Sequence, residues 1–228
     1  MGDDRNSASH DRPVRADARH NIELLLRAAR EVFDASGVDA PVKEIADRAG
    51  VGVGTLYRHF PQRPDLIKAI IRKEVDACAQ AASVLAAKHS PAEALGLWMQ
   101  RLVDLVATKR GLAAALHSGN PAYQSLPDSV LSRLTPALRG LLDAAAAAGT
   151  IRTDVDASEL LLAGMRVAAP ASDGDIAQAR RMVALMVDGL RVGAGAPAGK
   201  RADVAAARLS GRRAGLPRTK RTRRRTRS

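Results

Sequence analysis

Apolar residues recur at intervals of three and four positions along most of the chain, and this helical spacing constrains the fold more than any other feature. The stripe formed by residues 22, 25, 26, 29, 32 and 33 is one case, because charged side chains occupy the opposite face of the same segment. No segment of useful length alternates apolar and polar residues as a half-buried strand does, and aromatic residues make up only 2% of the chain. The sequence therefore predicts an all-α fold.

Glycines, prolines and capping residues mark the ends of the predicted helices. Gly50 follows one apolar stripe, Pro64 follows another, and Ser90 begins a capping box with a proline in the first turn. Asp156 is predicted to be the N-cap of a late helix. The pattern predicts helices over about 16–36, 41–49, 53–60, 64–88, 110–117, 128–148, 157–169 and 175–191, with a further helix beginning at 91.

Both ends of the chain differ in composition from the part between them. Residues 1–16 are polar and lack periodicity, so we expect a flexible N-terminal arm. Residues 193–199 consist of glycine, alanine and proline, which predicts a linker, and a basic tail follows at 200–228. We expect 193–228 to be disordered in isolation, because its like charges repel one another and it has no apolar stripe.

The net charge of +12 is concentrated in that tail. Residues 200–228 hold 12 basic side chains and 1 acidic one and carry +11, whereas residues 1–199 carry only +1. A basic tail adds sequence-independent affinity for DNA through the release of counterions. A solubilising extension without a binding role is the alternative.

Two short predicted helices are separated by a Gly-Val-Gly turn, and the longer helix before them is placed to brace them. These are the dimensions of a helix-turn-helix, in which the second helix lies in the major groove of DNA. On that helix Thr55, Arg58 and His59 fall on the outer side, whereas Leu56 and Phe60 fall on the inner side. The pattern predicts that polar side chains of the second helix face DNA.

A linear motif extends through this segment. The chain has Ile-Ala-Asp-Arg-Ala-Gly-Val at 45–51, Gly-Thr-Leu-Tyr-Arg-His-Phe at 54–60, and a basic residue, Arg63, three positions before Leu66. With these residues the chain resembles the TetR family of bacterial transcriptional regulators. The run Ala-Ala-Gly-Thr-Ile-Arg-Thr-Asp-Val-Asp at 147–156 is similar to a junction in the C-terminal domain of some members.

The resemblance implies both a fold and a function. The fold is a three-helix helix-turn-helix DNA-binding domain at 17–64, with the start of helix 4 to about 75, followed by a helical effector-binding and dimerisation domain at 65–192. The function is that of a repressor that binds an inverted-repeat operator in double-stranded DNA as a homodimer and is released by an unidentified small-molecule effector. A constitutive architectural DNA-binding protein that relies on the tail, and a helical interaction module with no DNA role, are the alternatives.

The resemblance also implies contacts between individual side chains and DNA. Hydroxyl and cationic side chains suit phosphate oxygens, and a histidine reaches a base edge or a phosphate. Two hydroxyl contacts of the family pattern are absent, because Gly52 and Pro41 stand where serine and threonine are usual. The predicted DNA-binding residues are Lys43, Val53, Thr55, Tyr57, Arg58, His59 and Arg63, of which Val53 offers only an apolar contact to a thymine methyl.

Methionine and aromatic side chains in the second domain suit a cavity for an apolar or aromatic ligand. Ordinary core packing is the alternative for each of them. The candidates for the ligand pocket are Trp98, Met99, Leu102, Leu116, His117, Tyr123 and Met165.

The last two predicted helices are apolar on more than one face. A helix buries one face in its own subunit, so a second apolar face calls for a partner. The resemblance implies that this partner is a second copy of the chain. The predicted dimer contacts are Leu161, Met165, Met182, Val183, Met186 and Leu190.

Other classes of protein are disfavoured by the sequence. The single cysteine, Cys78, lies on an apolar stripe, which predicts a buried thiol rather than a redox sensor. The glycines at 50, 52 and 54 follow no strand, as a dinucleotide-binding loop would require, and no catalytic or metal-ligand spacing is found, so we expect no enzyme activity, cofactor or metal. Because there is no apolar run of about 18 residues and no signal peptide, we expect a cytoplasmic protein without a membrane partner.

Overall fold

The structure, a computed structural model, describes residues 11–108, 112–169 and 176–192. Within these ranges the chain forms helices joined by turns, and none of the described residues lies in a strand. The all-α prediction is confirmed. In chain order the helices are α1 Asp11–Ser36, α2 Val42–Ala49, α3 Val53–His59, α4 Arg63–Lys88, α5 Pro91–Thr108, α6 Ala113–Leu116, α7 Leu126–Ala147, α8 Ala157–Ala168 and α9 Ile176–Arg191, with a short 3-10 helix, Pro121–Tyr123, before α7.

Most helix ends agree with the predicted ones to within two residues, and the largest difference is at the start of α1. Helix α1 begins at Asp11 rather than at residue 16, so the end of the expected flexible arm is helical. Pro13 is compatible with this start, because N–H groups in the first turn of a helix have no intrahelical acceptor and proline lacks one. Of the helix expected over 110–117, the structure describes residues 112–117, and α6 occupies Ala113–Leu116. The predicted linker and tail at 193–228 lie outside the described residues.

Helices α1 to α3 form a unit on the N-terminal part of α4. Leu25 and Phe33 of α1 and Ile45 of α2 are buried in its core. Gly50 has a φ of 69°, in the left-handed region that favours glycine, and its N–H donates to the carbonyls of Ala46 and Asp47. This turn ends α2 and directs the chain into α3.

Helix α5 lies at the centre of the second helical unit, where it contacts α4, α7, α8 and α9. Trp98, Met99 and Leu102 of α5 are completely buried. The indole Nε1–H of Trp98 donates to the carbonyl of Cys78 at 2.9 Å, so this large core side chain also satisfies its polar atom. Burial raises the pKa of Cys78 to about 11 and keeps the thiol protonated, and the prediction of a buried thiol is confirmed.

Helix α4 connects the two units. Its start is fixed by a capping box in which the Gln62 N–H donates to Asp65 Oδ2 at 3.2 Å. Further along α4, Glu74 Oε1 accepts from Arg30 Nη1 of α1 at 2.8 Å. Helix α4 also packs against α5 and α7. A displacement of α4 is therefore expected to move α1 to α3 relative to the second unit.

Candidate nucleic-acid interface

Helix α3 is buried on one side and exposed on the other. Leu56 and Phe60 are buried, and they lie beside Ile45 of α2 and Leu66 of α4. The turn before α3 is held by the Val51 N–H, which donates to the Ala46 carbonyl at 3.1 Å. The apolar contacts and the turn together fix which side of α3 faces solvent.

The exposed side of α3 carries the groups best placed to meet a polyanion. The side chain of Tyr57 is 51% exposed, and Arg58 is exposed beside it. Gly54 has open space where a Cβ would lie, so nothing screens the backbone there. The remaining predicted contacts on this helix, Val53, Thr55 and His59, are half-buried.

Lys43 lies in the first turn of α2 and is exposed. Its Nζ donates to Asp47 Oδ2 at 2.6 Å, one turn along the same helix. Exposed ion pairs of this kind contribute about 0–1 kcal/mol to the free energy of unfolding. The ammonium is therefore held near the start of α2 and can exchange its carboxylate for a phosphate at little cost.

Arg63 makes contacts within the chain that the sequence analysis did not predict. Its guanidinium donates to the Val38 carbonyl and, at 2.9 Å, to the Ala40 carbonyl, and it lies 6.0 Å from the centroid of the Phe33 ring. These contacts direct the side chain into the turn between α1 and α2, and the predicted phosphate contact stays a prediction. The sequence pattern did not reveal these contacts, because the acceptors are main-chain carbonyls far away in the chain.

The predicted pocket residues differ in burial. Trp98, Met99 and Leu102 are completely buried, and Tyr123 is buried next to the start of α4. Leu116 and Met165 are half-buried, while His117 is exposed. The four buried residues belong to the core in this conformation, which is the alternative that the sequence left open.

A groove of about 360 Å³ lies between the first halves of α4 and α7. We call it the α4–α7 groove. None of the predicted pocket residues lines it. Sequence reasoning missed it because it forms only where the two helices pack side by side. Apolar and polar side chains both line it, among them Ile71, Val75, Val130, Lys68, Arg72 and Ser125.

The predicted dimer residues divide into inward and outward groups. Leu161, Val183 and Leu190 are buried in their own subunit, which excludes them from a surface that a partner would touch. This corrects the prediction for those three positions. Met165 and Met186 are half-buried, and Met182 is exposed. The large apolar residues exposed on the same two helices are Leu162 and Val167 of α8 and Ile176, Met182 and Leu185 of α9.

Neither a metal site nor a membrane span is found among the described residues. They contain no group of three or more histidine, cysteine, aspartate or glutamate side chains that could hold a metal ion. Among the helices in the described ranges, none has both the length and the apolar character needed to cross a bilayer.

Two family models match the sequence, one in each helical unit. The model for bacterial regulatory proteins of the tetR family matches residues 25–70, which include α2, α3 and the start of α4. The model for the C-terminal domain of SbtR-like transcriptional regulators matches residues 90–192, which extend from α5 to α9.

Solved structures of regulators have the same architecture. A TetR transcriptional regulator from Streptomyces coelicolor is 40% identical with a TM-score of 0.62, and the match covers 75% of this chain and 98% of that one. A TetR transcription regulatory protein from Mycobacterium vanbaalenii is 36% identical with a TM-score of 0.63, with 78% and 99% covered. RolR, solved in complex with resorcinol, shares the fold at 20% identity and a TM-score of 0.53, with 78% and 91% covered.

A curated relative, an HTH-type transcriptional regulator of Staphylococcus aureus (strain USA300), is 28% identical over 109 residues. That match spans 47% of this chain and 59% of the relative. The Streptomyces and Mycobacterium proteins, by contrast, are covered almost completely and at higher identity. The chain therefore belongs to the TetR family of bacterial transcriptional regulators, a family of DNA-binding proteins rather than enzymes.

Proposed function

We propose that the protein is a transcriptional repressor that binds an inverted-repeat operator as a homodimer and leaves it when a small molecule binds. The observation that carries the proposal is the exposed side of α3, where Tyr57 and Arg58 face solvent on a helix whose other side is buried. In a helix-turn-helix such a helix enters the major groove. Because a bacterial operator is part of the chromosome, the protein would act in the cytoplasm.

We assign the DNA contacts by side-chain chemistry and exposure. The Tyr57 hydroxyl and the Lys43 ammonium donate to phosphates, because both are exposed, Tyr57 on α3 and Lys43 in the first turn of α2. Arg58 carries the donor fork that pairs with guanine O6 and N7. Thr55 and His59 reach base edges or nearby phosphates, and Val53 contributes at most a contact with a thymine methyl. Arg63 acts indirectly, by holding the turn before α2.

The exposed apolar residues of α8 and α9 support the homodimer. We call Leu162, Val167, Met182 and Leu185 the α8–α9 face. A face of this kind gains free energy when a second copy covers it, and two-fold pairing of identical faces is the commonest arrangement in oligomers. A two-fold dimer presents two copies of α3 to successive major grooves, about 34–36 Å apart, so its operator is an inverted repeat.

Release by a ligand follows from a shift in population. A ligand that binds more tightly to a conformation with misaligned α3 helices draws the dimer off DNA, and it does so only through that difference in affinity. Helix α4 is suited to transmit the change, because it is bonded to α1 through Arg30 and Glu74 and packs against α7. RolR was solved with resorcinol, which supports a small molecule as the class of effector for this fold.

The +11 charge of residues 200–228 favours a second function, constitutive architectural binding to DNA. In that case affinity depends on the tail and on phosphate charge, and sequence has little influence. A third possibility is a helical interaction module that binds no DNA.

A gel shift on the DNA upstream of the protein's own gene separates these functions. The full chain and a chain lacking residues 200–228 are compared on that DNA and on a scrambled duplex of equal length. Specific binding by both chains supports the repressor. Binding that requires the tail and does not discriminate between the duplexes supports the architectural protein, and the absence of binding to either duplex supports the interaction module.

A further inference from the structure

The α4–α7 groove has an apolar floor. Ile71 and Val75 of α4 and Val130 of α7 line it and are buried at 5%, 4% and 4% exposure. Its volume of about 360 Å³ is near the lower end of ligand sites, which run from about 300 to 1,000 Å³. The floor and the volume suit the hydrocarbon part of a small molecule.

The rim of the groove is basic. Lys68, Arg72 and Arg133 lie on it, against a single carboxylate, that of Asp76. Arg133 Nε donates to Asp76 Oδ1 at 2.7 Å, so these two charges neutralise each other. Lys68 is paired with Asp65 at 3.1 Å. The rim therefore has an excess of positive charge on the α4 side.

Arg72 carries this excess. It is exposed, lines the groove, and has no hydrogen-bond or ion-pair partner among the residues that the structure describes. Ser125, the N-cap residue of α7, and Ser129 within that helix lie on the same groove with their hydroxyls, and Ser125 makes no side-chain capping bond. A guanidinium together with hydroxyl donors is the donor set that binds a carboxylate.

We propose that the α4–α7 groove binds a small amphipathic anion, a carboxylate on a hydrocarbon body. The carboxylate pairs with Arg72 and accepts from the serine hydroxyls, while the hydrocarbon covers Ile71, Val75 and Val130. As the effector site of the repressor, it rests on the proposed function: five lining residues belong to α4, the helix that starts at Arg63 and is bonded to α1. Occupation of the groove then changes how α4 packs against α7 and, through α4, the position of α3.

The test is calorimetric titration of the full-length protein with straight-chain carboxylates from hexanoate to dodecanoate and with phenylacetate. The matched neutral alcohols are titrated in parallel. We expect at least one carboxylate to bind about tenfold more tightly than its alcohol, as a charge-assisted hydrogen bond requires. Arg72→Ala should remove that advantage without changing the affinity for the alcohol.

Lys73→Ala is the matched control, because Lys73 is the next residue of α4, is exposed, carries the same charge and does not line the groove. It should leave carboxylate binding within about twofold of the parent. The proposal is overturned if none of the carboxylates binds, or if Arg72→Ala and Lys73→Ala bind them equally well.

Operator release is measured separately, by fluorescence anisotropy of labelled DNA that the parent retains. Carboxylate binding that depends on Arg72 but leaves DNA bound supports the groove as a ligand site and overturns its role as effector site. If these acids still release the operator from the Arg72→Ala protein, the groove is not the effector site, and the proposal of a ligand-released repressor is unaffected. The two proposals therefore fail in distinguishable ways.

Discussion

At the scale of single residues, Arg63 closes the turn between α1 and α2 although it lies within a DNA-binding motif. Its two carbonyl acceptors, on Val38 and Ala40, belong to the chain that leads into α2. An arginine is suited to this because its planar fork donates to two acceptors at once. The residue therefore positions the helix-turn-helix from behind, while Arg58 faces the solvent side.

Arg63→Ala and Arg58→Ala should consequently differ in their effect on stability, although both should weaken operator binding. Loss of Arg63 leaves two carbonyls without their donor, and we expect the free energy of unfolding to fall by about 1–3 kcal/mol, with weaker operator binding as a consequence. Arg58→Ala should weaken operator binding and leave stability within about 0.5 kcal/mol of the parent. Urea unfolding and anisotropy on the same DNA measure both. If Arg63→Ala has parental stability but has lost affinity for DNA, the result would show that Arg63 contacts a phosphate directly.

Gly164 of α8 allows α8 to approach α5 closely. A Cβ at this position would lie 2.8 Å from Met99 Cε and 3.1 Å from Leu102 Cδ2, and both side chains are completely buried. We expect Gly164→Val to lower the free energy of unfolding by about 1–3 kcal/mol through overpacking. Gly140→Val is the control, because Gly140 lies inside α7 with nothing within 4 Å of a new Cβ. Equal melting temperatures of the two variants would show that α5 and α8 can separate without cost.

At the scale of elements, the N-terminus of α8 is capped by the carboxylate of Asp156. Asp156 accepts from the Ser158 N–H at 2.8 Å and from the Glu159 N–H at 3.0 Å, and Arg139 Nη2 donates to it at 3.1 Å. The Glu159 N–H, then the Arg139 guanidinium and the Ser158 N–H, hold the pKa of Asp156 below its usual value. A depressed carboxylate pKa contributes stability that is complete above the pKa of the unfolded chain, about 3.9, and is lost as the pH falls through the folded value.

Asp156→Asn keeps an N-cap side chain but removes this titration. We expect the variant to melt below the parent at pH 7, with the difference shrinking as the pH is lowered through about 4 towards 2. Thermal melts across this range measure the effect. A difference that is the same at pH 7 and at the acid end would mean that the charge of Asp156 does not contribute.

The α8–α9 face is the element surface on which the dimer depends. Leu185 is its most exposed member at 62%, so Leu185→Glu should shift the protein to monomers without disturbing the core of the subunit. Val84→Glu is the matched control, because Val84 is 51% exposed on α4 and lies outside the face. Light scattering behind a sizing column gives the molar mass of each. If Leu185→Glu stays dimeric at micromolar concentration, the dimer interface does not lie on the α8–α9 face.

The elements were predictable to the extent that local signals define them. Apolar spacing, Gly50 and the prolines were sufficient to predict α2 and α3, because a short helix with one buried face leaves little choice of orientation. In α9 the sequence has two apolar stripes, and periodicity does not say which one turns inward. The pattern therefore predicts Val183 and Leu190 as dimer contacts, although both are buried in their own subunit. Burial is decided by the neighbouring helices α5 and α8, which the local pattern does not contain.

At the scale of the whole molecule, charge and recognition are separated along the chain. Residues 1–199 carry +1, so sequence-specific binding depends on a few placed groups around α3, while residues 200–228 carry +11. The α4–α7 groove is another property of the whole fold, since its residues are brought together only by packing of α4 against α7. Neither the groove nor the internal role of Arg63 can be found from spacing along the sequence.

Removal of residues 200–228 tests the separation of charge from recognition. The truncated chain should bind both specific and scrambled DNA more weakly, with a flatter dependence of affinity on salt, because fewer counterions are released. The preference for the specific duplex should persist. Anisotropy titrations at several salt concentrations give both quantities. If the dependence of DNA affinity on salt concentration is unchanged, the tail does not contact DNA and is a solubilising extension.

The most direct measurement is the sequencing of genomic DNA fragments retained by the purified full-length protein, in parallel with a Tyr57→Ala, Arg58→Ala double variant. If α3 reads DNA in a two-fold dimer, the parent should enrich an inverted repeat whose half-sites lie about one helical turn apart, and the variant should lose that enrichment while still retaining bulk DNA through its tail. Fragments without a common repeat, or the same repeat enriched by the variant, would contradict the role assigned to α3.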